Sequence, residues 1–236
     1  LMLNGSEILA SVWTDGKNWM TKRITDNATP DMAPVVATNG EDTAIVAWRS
    51  VLTGSTDKIT SFDSKDYIYY CVYENGQWGE PKPIYNGSAG AVKGLEAAML
   101  DDGTAAVVYT LESASSSVAS YSQVDPETDE ISSNQEIYCS VIDDSDSIRE
   151  VRLTNDTYLD ENPQVEVVRM GKSSSDQVFV VGWHSLQNAD GVQKEDLLFR
   201  ALDKNGLVQE NLVTSLSAAG GNDVKLDSTF RFTKGA

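Results

Sequence analysis

The sequence predicts an all-β chain built from one repeated unit, and three observations carry that expectation. Short alternating apolar runs return at a fixed interval, a second set of runs returns at the same interval, and Gly-containing turn pairs follow three of the first set. The first runs are residues 7–13, 67–73, 136–142 and 196–202, in which Ile8, Ile68, Ile137 and Leu197 stand 60, 69 and 60 residues apart. In the second runs, Thr25, Tyr85, Thr154 and Thr214 repeat the same 60, 69 and 60. Two independent markers share one period.

Each element follows from local chemistry. Asp15-Gly16, Asn75-Gly76 and Asn205-Gly206 offer the positive-φ residues that a tight hairpin needs, so each first run should turn back into its second. Nine residues past the second markers stand Pro34, Gly94, Pro163 and Asp223, each expected to open a short strand such as 34–38 or 163–167. Proline is tolerated at a strand's first residue because no ladder donor is lost there. A further strand, rich in β-branched residues and ending on an aromatic, is expected at 43–48, 104–109, 177–183 and 229–232. Residues 94–100 are apolar enough for a helix but too few.

Four strands per unit at this period predict a β-propeller of four-stranded antiparallel blades, each covered by its neighbours. The phase starts the chain in the third strand of one blade and ends it in the second strand of another. Pairing of the N- and C-terminal strands would then close four blades, 223–232 plus 6–24, 33–85, 93–154 and 163–214, as a single domain over 1–236. A segment of a larger propeller is the alternative. The first six residues lack the basic start and long apolar run of a secretory signal, as expected of a mature or trimmed chain.

The turns at 14–19, 74–78 and 144–148 resemble, at the level of pattern, the Asp-box hairpin of secreted bacterial β-propeller repeats in the sialidase-like group, Ser/Thr-x-Asp-x-Gly-x-Thr/Ser-Trp. The first two lack its spacing, and the third lacks both Gly and Trp. The resemblance implies a secreted or cell-surface propeller and a link to carbohydrate.

Charge narrows the partners. Eighteen Lys and Arg against 36 Asp and Glu leave a net charge of -18, which repels phosphate backbones and anionic headgroups. Nucleic acid is excluded as a partner, and no apolar run approaches the ~20 residues of a membrane-spanning helix. Cys71 and Cys139 have no zinc or redox spacing and should be buried thiols that do not pair. With one histidine in the chain, only oxygen ligands remain for a metal, so no cofactor is expected beyond a Ca²⁺ ion held by acidic loops such as 143–146.

The long connections, 51–66, 112–135 and 186–195, should all leave from one rim, where insertions on a rigid scaffold often bind ligands. Trp48, Tyr109 and Trp183 occupy matching places there, followed by Arg49, Thr110 and His184, with Asp31 and Asp160 in the adjoining loops. Aromatic faces beside hydrogen-bonding side chains suit a sugar, although matching aromatics also serve blade packing. Sialidase chemistry would need three converging arginines, and Arg23 and Arg152 fall in outermost strands, away from Arg49. The function expected is thus a non-catalytic extracellular module that binds a glycan or protein ligand and is linked to other domains in a longer chain. Two alternatives stand beside it: a glycoside hydrolase or lyase using rim carboxylates, and a structural module of a multidomain surface protein.

Overall fold

A computed structural model of the chain describes residues 5–14, 16, 18–52, 65–85, 87, 91–112, 135–156, 158–170, 176–189, 192–209 and 214–217. The chain is all-β: the described residues form strands and no α-helix. A hairpin comes first, β1 (Leu9–Thr14) with β2 (Asn18–Arg23). Three antiparallel meanders follow. The first is β3 (Asp31–Thr38), β4 (Ala44–Leu52), β5 (Lys65–Glu74) and β7 (Lys82–Tyr85), with the two-residue β6 (Gln77–Trp78) also on β5. The second is β8 (Ala91–Met99), β9 (Ala105–Glu112), β10 (Gln135–Ile142) and β11 (Ile148–Arg152). The third is β12 (Leu159–Arg169), β13 (Gln177–Ala189), β14 (Val192–Leu202) and β15 (Thr214–Ser217).

The meanders stack face to face. Ile8 and Ile24 of the hairpin region pack on Val46, Trp48, Cys71 and Trp78 of the first meander. The opposite face of that meander, with Ile45, Ile68 and Tyr70, packs on Val92, Val107 and Tyr109 of the second. Ile137, Val108 and Cys139 of the second then meet Phe179, Val181 and Trp183 of the third. Both faces of the second meander are covered, which is why β9 is buried almost throughout. Each large apolar side chain removed from water contributes about 1.5–3 kcal/mol. The first strands β3, β8 and β12 lie beside one another, and the second and third meanders are joined in one sheet by a single parallel pair, Gln135 with Leu159. Among the described residues, the sheets do not close on one another.

All three first strands carry a bulge at the same place. The register shifts between Met32 and Val35, Lys93 and Glu96, and Glu161 and Gln164. One residue in each bulge has positive φ: Ala33 at 50°, Gly94 at 57° and Asn162 at 53°. This corrects the expected strand starts. Pro34 and Pro163 do not open their strands, which begin at Asp31 and Leu159; they sit inside the bulges, where a missing N–H breaks no ladder bond. Gly94 is the counterpart of Ala33 and Asn162, one residue before the prolines.

The connection at 186–195 is not a loop. Leu186 pairs with Glu195, and the ladder continues to Ala189 with Val192, so the backbone N–H and C=O groups of these residues are satisfied across the extended hairpin. Asp31, Asp160 and Glu161 likewise lie in strands rather than loops. The connections 53–64 and 113–134 and the expected strand at 229–232, with it the expected closure of the chain ends, lie outside the described residues.

Candidate functional site

The matching aromatics are interior. Trp48, Tyr109 and Trp183 are each almost fully buried, and each stands opposite the bulge of its own first strand. Two bulged residues facing one partner leave room for a large ring, and the next layer covers it. Trp48 donates its indole N–H to Asp31 Oδ1 at 3.0 Å, and Trp183 donates to Asp160 Oδ1 at 3.2 Å. In the second meander the place of the aspartate is taken by Val92, and that of the indole by Tyr109, whose hydroxyl donates instead to Glu150 Oε2 at 2.7 Å. Aspartate and tryptophan occur together or not at all, as expected when a buried indole N–H needs an acceptor. The open stacking platform expected at these three rings is not presented to solvent, and Asp31 and Asp160 serve the interior.

Arg49 and His184 also occupy equivalent positions, each beside a carboxylate on the third strand. Arg49 Nη2 lies 2.9 Å from both oxygens of Asp66, and Asp66 Oδ2 also accepts the backbone N–H of Val92 at 2.7 Å. One side chain thus ties the first meander to β8 of the second. His184 Nδ1 lies 2.9 Å from Glu195 Oε1, and the imidazole is buried. In the second meander these places hold Thr110 and Gln135, so the pair is absent. Of the expected contacts only Arg49 reaches solvent, with 29% of its side chain exposed.

Two tyrosines near the same edge were not singled out by the sequence pattern. Tyr67 and Tyr69 are half-buried and stack 6.1 Å apart at 17°, and Tyr69 stacks on Trp48 at 6.1 Å and 21°. The three rings form a ladder from the interior outward, next to the start of β5 where the 53–64 connection ends. The run Tyr67-Ile-Tyr-Tyr carried the signal, since alternation puts 67 and 69 on one face.

The other edge carries the tight turns. Asp143 accepts the N–H groups of Ser145 and Ser147 at 3.0 and 2.9 Å and the Ser145 hydroxyl at 2.6 Å; these bonds hold its carboxyl below the usual range. Asp146 is engaged by the Tyr70 hydroxyl at 3.1 Å and by Lys82. A cavity of about 420 Å³ opens beside Asp102, Asp143, Asp144, Arg149 and Lys204. Its charges are mixed, and among the described residues no three His, Cys, Asp or Glu side chains converge to hold a metal. The two cysteines are free and buried, in different interlayer cores. Among the described residues no helix is long and apolar enough to cross a membrane.

No known family model matches the chain, and no curated protein is similar to it.

Proposed function

We propose that the chain is a non-catalytic, secreted or cell-surface β-propeller module that binds carbohydrate or another surface ligand through the edge where its long connections leave. The three meanders serve as blades, and the β1–β2 hairpin is the outer half of a fourth. The internal equivalence of that hairpin with β10–β11 supports this. Ile8 N–H and Ile137 N–H donate to Thr25 Oγ1 and Thr154 Oγ1, both at 2.9 Å. Arg23 pairs with Glu7 at 3.1 Å, as Arg152 does with Glu136 at 2.9 Å. The inner half of this blade would come from residues 223–232, outside the described residues, or from further repeats of a larger propeller.

The binding reading rests on one observation: the Tyr67–Tyr69 stack stands half-open where β5 leaves the 53–64 connection. Stacked phenol rings offer an apolar face to a pyranose and hydroxyls to its edge. A glycan array with the whole chain tests it. Binding that is lost in both Tyr67→Ala and Tyr69→Ala, with circular dichroism unchanged, supports carbohydrate recognition at this edge. A blank array across plant and mucin polysaccharides overturns it.

A further inference from the structure

Asp31 and Asp160 occupy the same place at successive junctions, yet only Asp31 has a donor for each oxygen. Asp31 takes the Trp48 indole on Oδ1 and the Asn27 side-chain amide on Oδ2 at 3.1 Å. Asp160 takes the Trp183 indole on Oδ1, while its buried Oδ2 makes no hydrogen bond. The cause is a difference between repeats. Asn27 and Asp156 each stand two residues after the matching threonine, Thr25 or Thr154, and four before the matching aspartate. Both close the same turn: Asn27 Oδ1 accepts the N–H of Thr29 at 2.6 Å, and Asp156 Oδ1 accepts that of Tyr158 at 2.8 Å. Where the amide nitrogen of Asn27 serves Asp31, Asp156 offers a second oxygen with no proton to give.

We propose that Asp156 and Asp160 hold a hard divalent cation, Ca²⁺ or Mg²⁺, between them with the Ser185 hydroxyl as a further ligand, and that the ion pins the β11–β12 connection to the third meander. Ser185 is the cross-strand partner of Asp160, so the two side chains share a face, and its buried hydroxyl oxygen also makes no hydrogen bond. It lies near enough to favour the charged carboxyl of Asp160 without completing a bond of good geometry. A Ser185 proton turned onto Asp160 would serve one oxygen and still leave two carboxylates side by side, and each raises the cost of charge on the other unless a positive charge stands between them.

The chain's own cations do not supply that charge. Arg152 is committed to Glu136 at 2.9 Å, as Arg23 is to Glu7, and Thr154 gives its hydroxyl proton to the same Glu136. Burial pushes the Asp160 carboxyl up to about 6 and the charge of Asp156 adds to this, so at neutral pH the group is ionised and attracts a cation. Asp156 is exposed, which gives the ion an entry and lets it keep water on that side, as Mg²⁺ held by one or two carboxylates commonly does. The acidic turn at 143–146 is a different place, where Asp143 and Asp146 already have donors. Two carboxylates and a hydroxyl should give a modest affinity, of about 10⁻⁴–10⁻³ M.

Trp183, bonded to Asp160, is a reporter already in place. Tb³⁺ added to the intact chain should emit when the indole is excited, and Ca²⁺ and Mg²⁺, titrated separately, should displace it and show which of them fits. Asp156→Asn, which copies the Asn27 arrangement at an exposed position, should remove most of the emission and weaken the displacing ion by about tenfold or more. Asp144→Asn, in the acidic turn, should change neither. Asn27→Asp should add a second site, reported by Trp48. In thermal melts the ion should raise the Tm of the native chain and not that of Asp156→Asn. The proposal is overturned by an absence of displaceable emission up to about 10 mM ion, by emission that Asp156→Asn leaves in place, or by a Tm rise equal in both chains.

Discussion

A β-carbon placed on Gly94 would come within 2.8 Å of Pro163 Cδ, so the bulge of β8 abuts the bulge of β12 with no room for a methyl group. Gly94 also holds φ at 57°, a left-handed conformation that costs other residues energy. Gly94→Ala therefore meets both a strained backbone and a rigid ring. A loss of about 1–3 kcal/mol is expected, read as a lower urea midpoint with an unchanged slope.

Trp48→Phe removes the indole donor from Asp31 and leaves a buried carboxylate oxygen short of a partner. The cost should be about 1–3 kcal/mol. Adding Asp31→Val copies the pairing that the second meander already uses at Val92 and Tyr109, and should recover part of that loss. A double-mutant cycle in urea would show a coupling of more than about 0.5 kcal/mol if the two residues act as a unit.

Asp66→Ala should weaken the first junction more than Arg49→Ala. Asp66 serves both Arg49 and the Val92 N–H across the layer boundary, whereas Arg49 is partly open to water, which solvates what it loses. Losses of about 1–3 kcal/mol for Asp66→Ala and under about 1 kcal/mol for Arg49→Ala are expected from chemical denaturation. Equal losses would show that the backbone bond to Val92 contributes nothing.

Burial pushes the Cys71 thiol up to about 11 and the Cys139 thiol up to about 12. Neither forms thiolate near neutral pH, and neither is reachable in the folded chain. A chromogenic disulfide reagent should label no thiol at these positions under native conditions and both after denaturation. Rapid native labelling at Cys71 would mean that the hairpin layer above it opens.

How far the sequence could be read depended on range. The strands, their hairpins and the outer-strand equivalence of residues 7–25 with 136–154 were legible, because Gly and Asn conformations and the alternation of side chains act within a few residues. The second strands were legible for the same reason. The bulges were not: Ala33, Gly94 and Asn162 share no side chain, and what unites them is a register set by the partner strand. The long ladder of β13 with β14 was missed because polar residues at 187–195 read as a loop while their backbones could pair.

The amino-acid order alone determined an all-β chain, its period and most of the equivalent places, but not those in the bulges, where Gly94 matches Ala33 and Asn162 rather than Pro34 and Pro163. Only the tertiary structure decided which of those places are inside. Trp48, Trp183, His184, Asp31 and Asp160 looked like rim residues because they lie toward the ends of their strands, and each is covered by a layer or strand many residues away. Alternation assigns a side chain to one face of a sheet, but burial depends on what stacks on that face, and a local pattern carries no record of the neighbour.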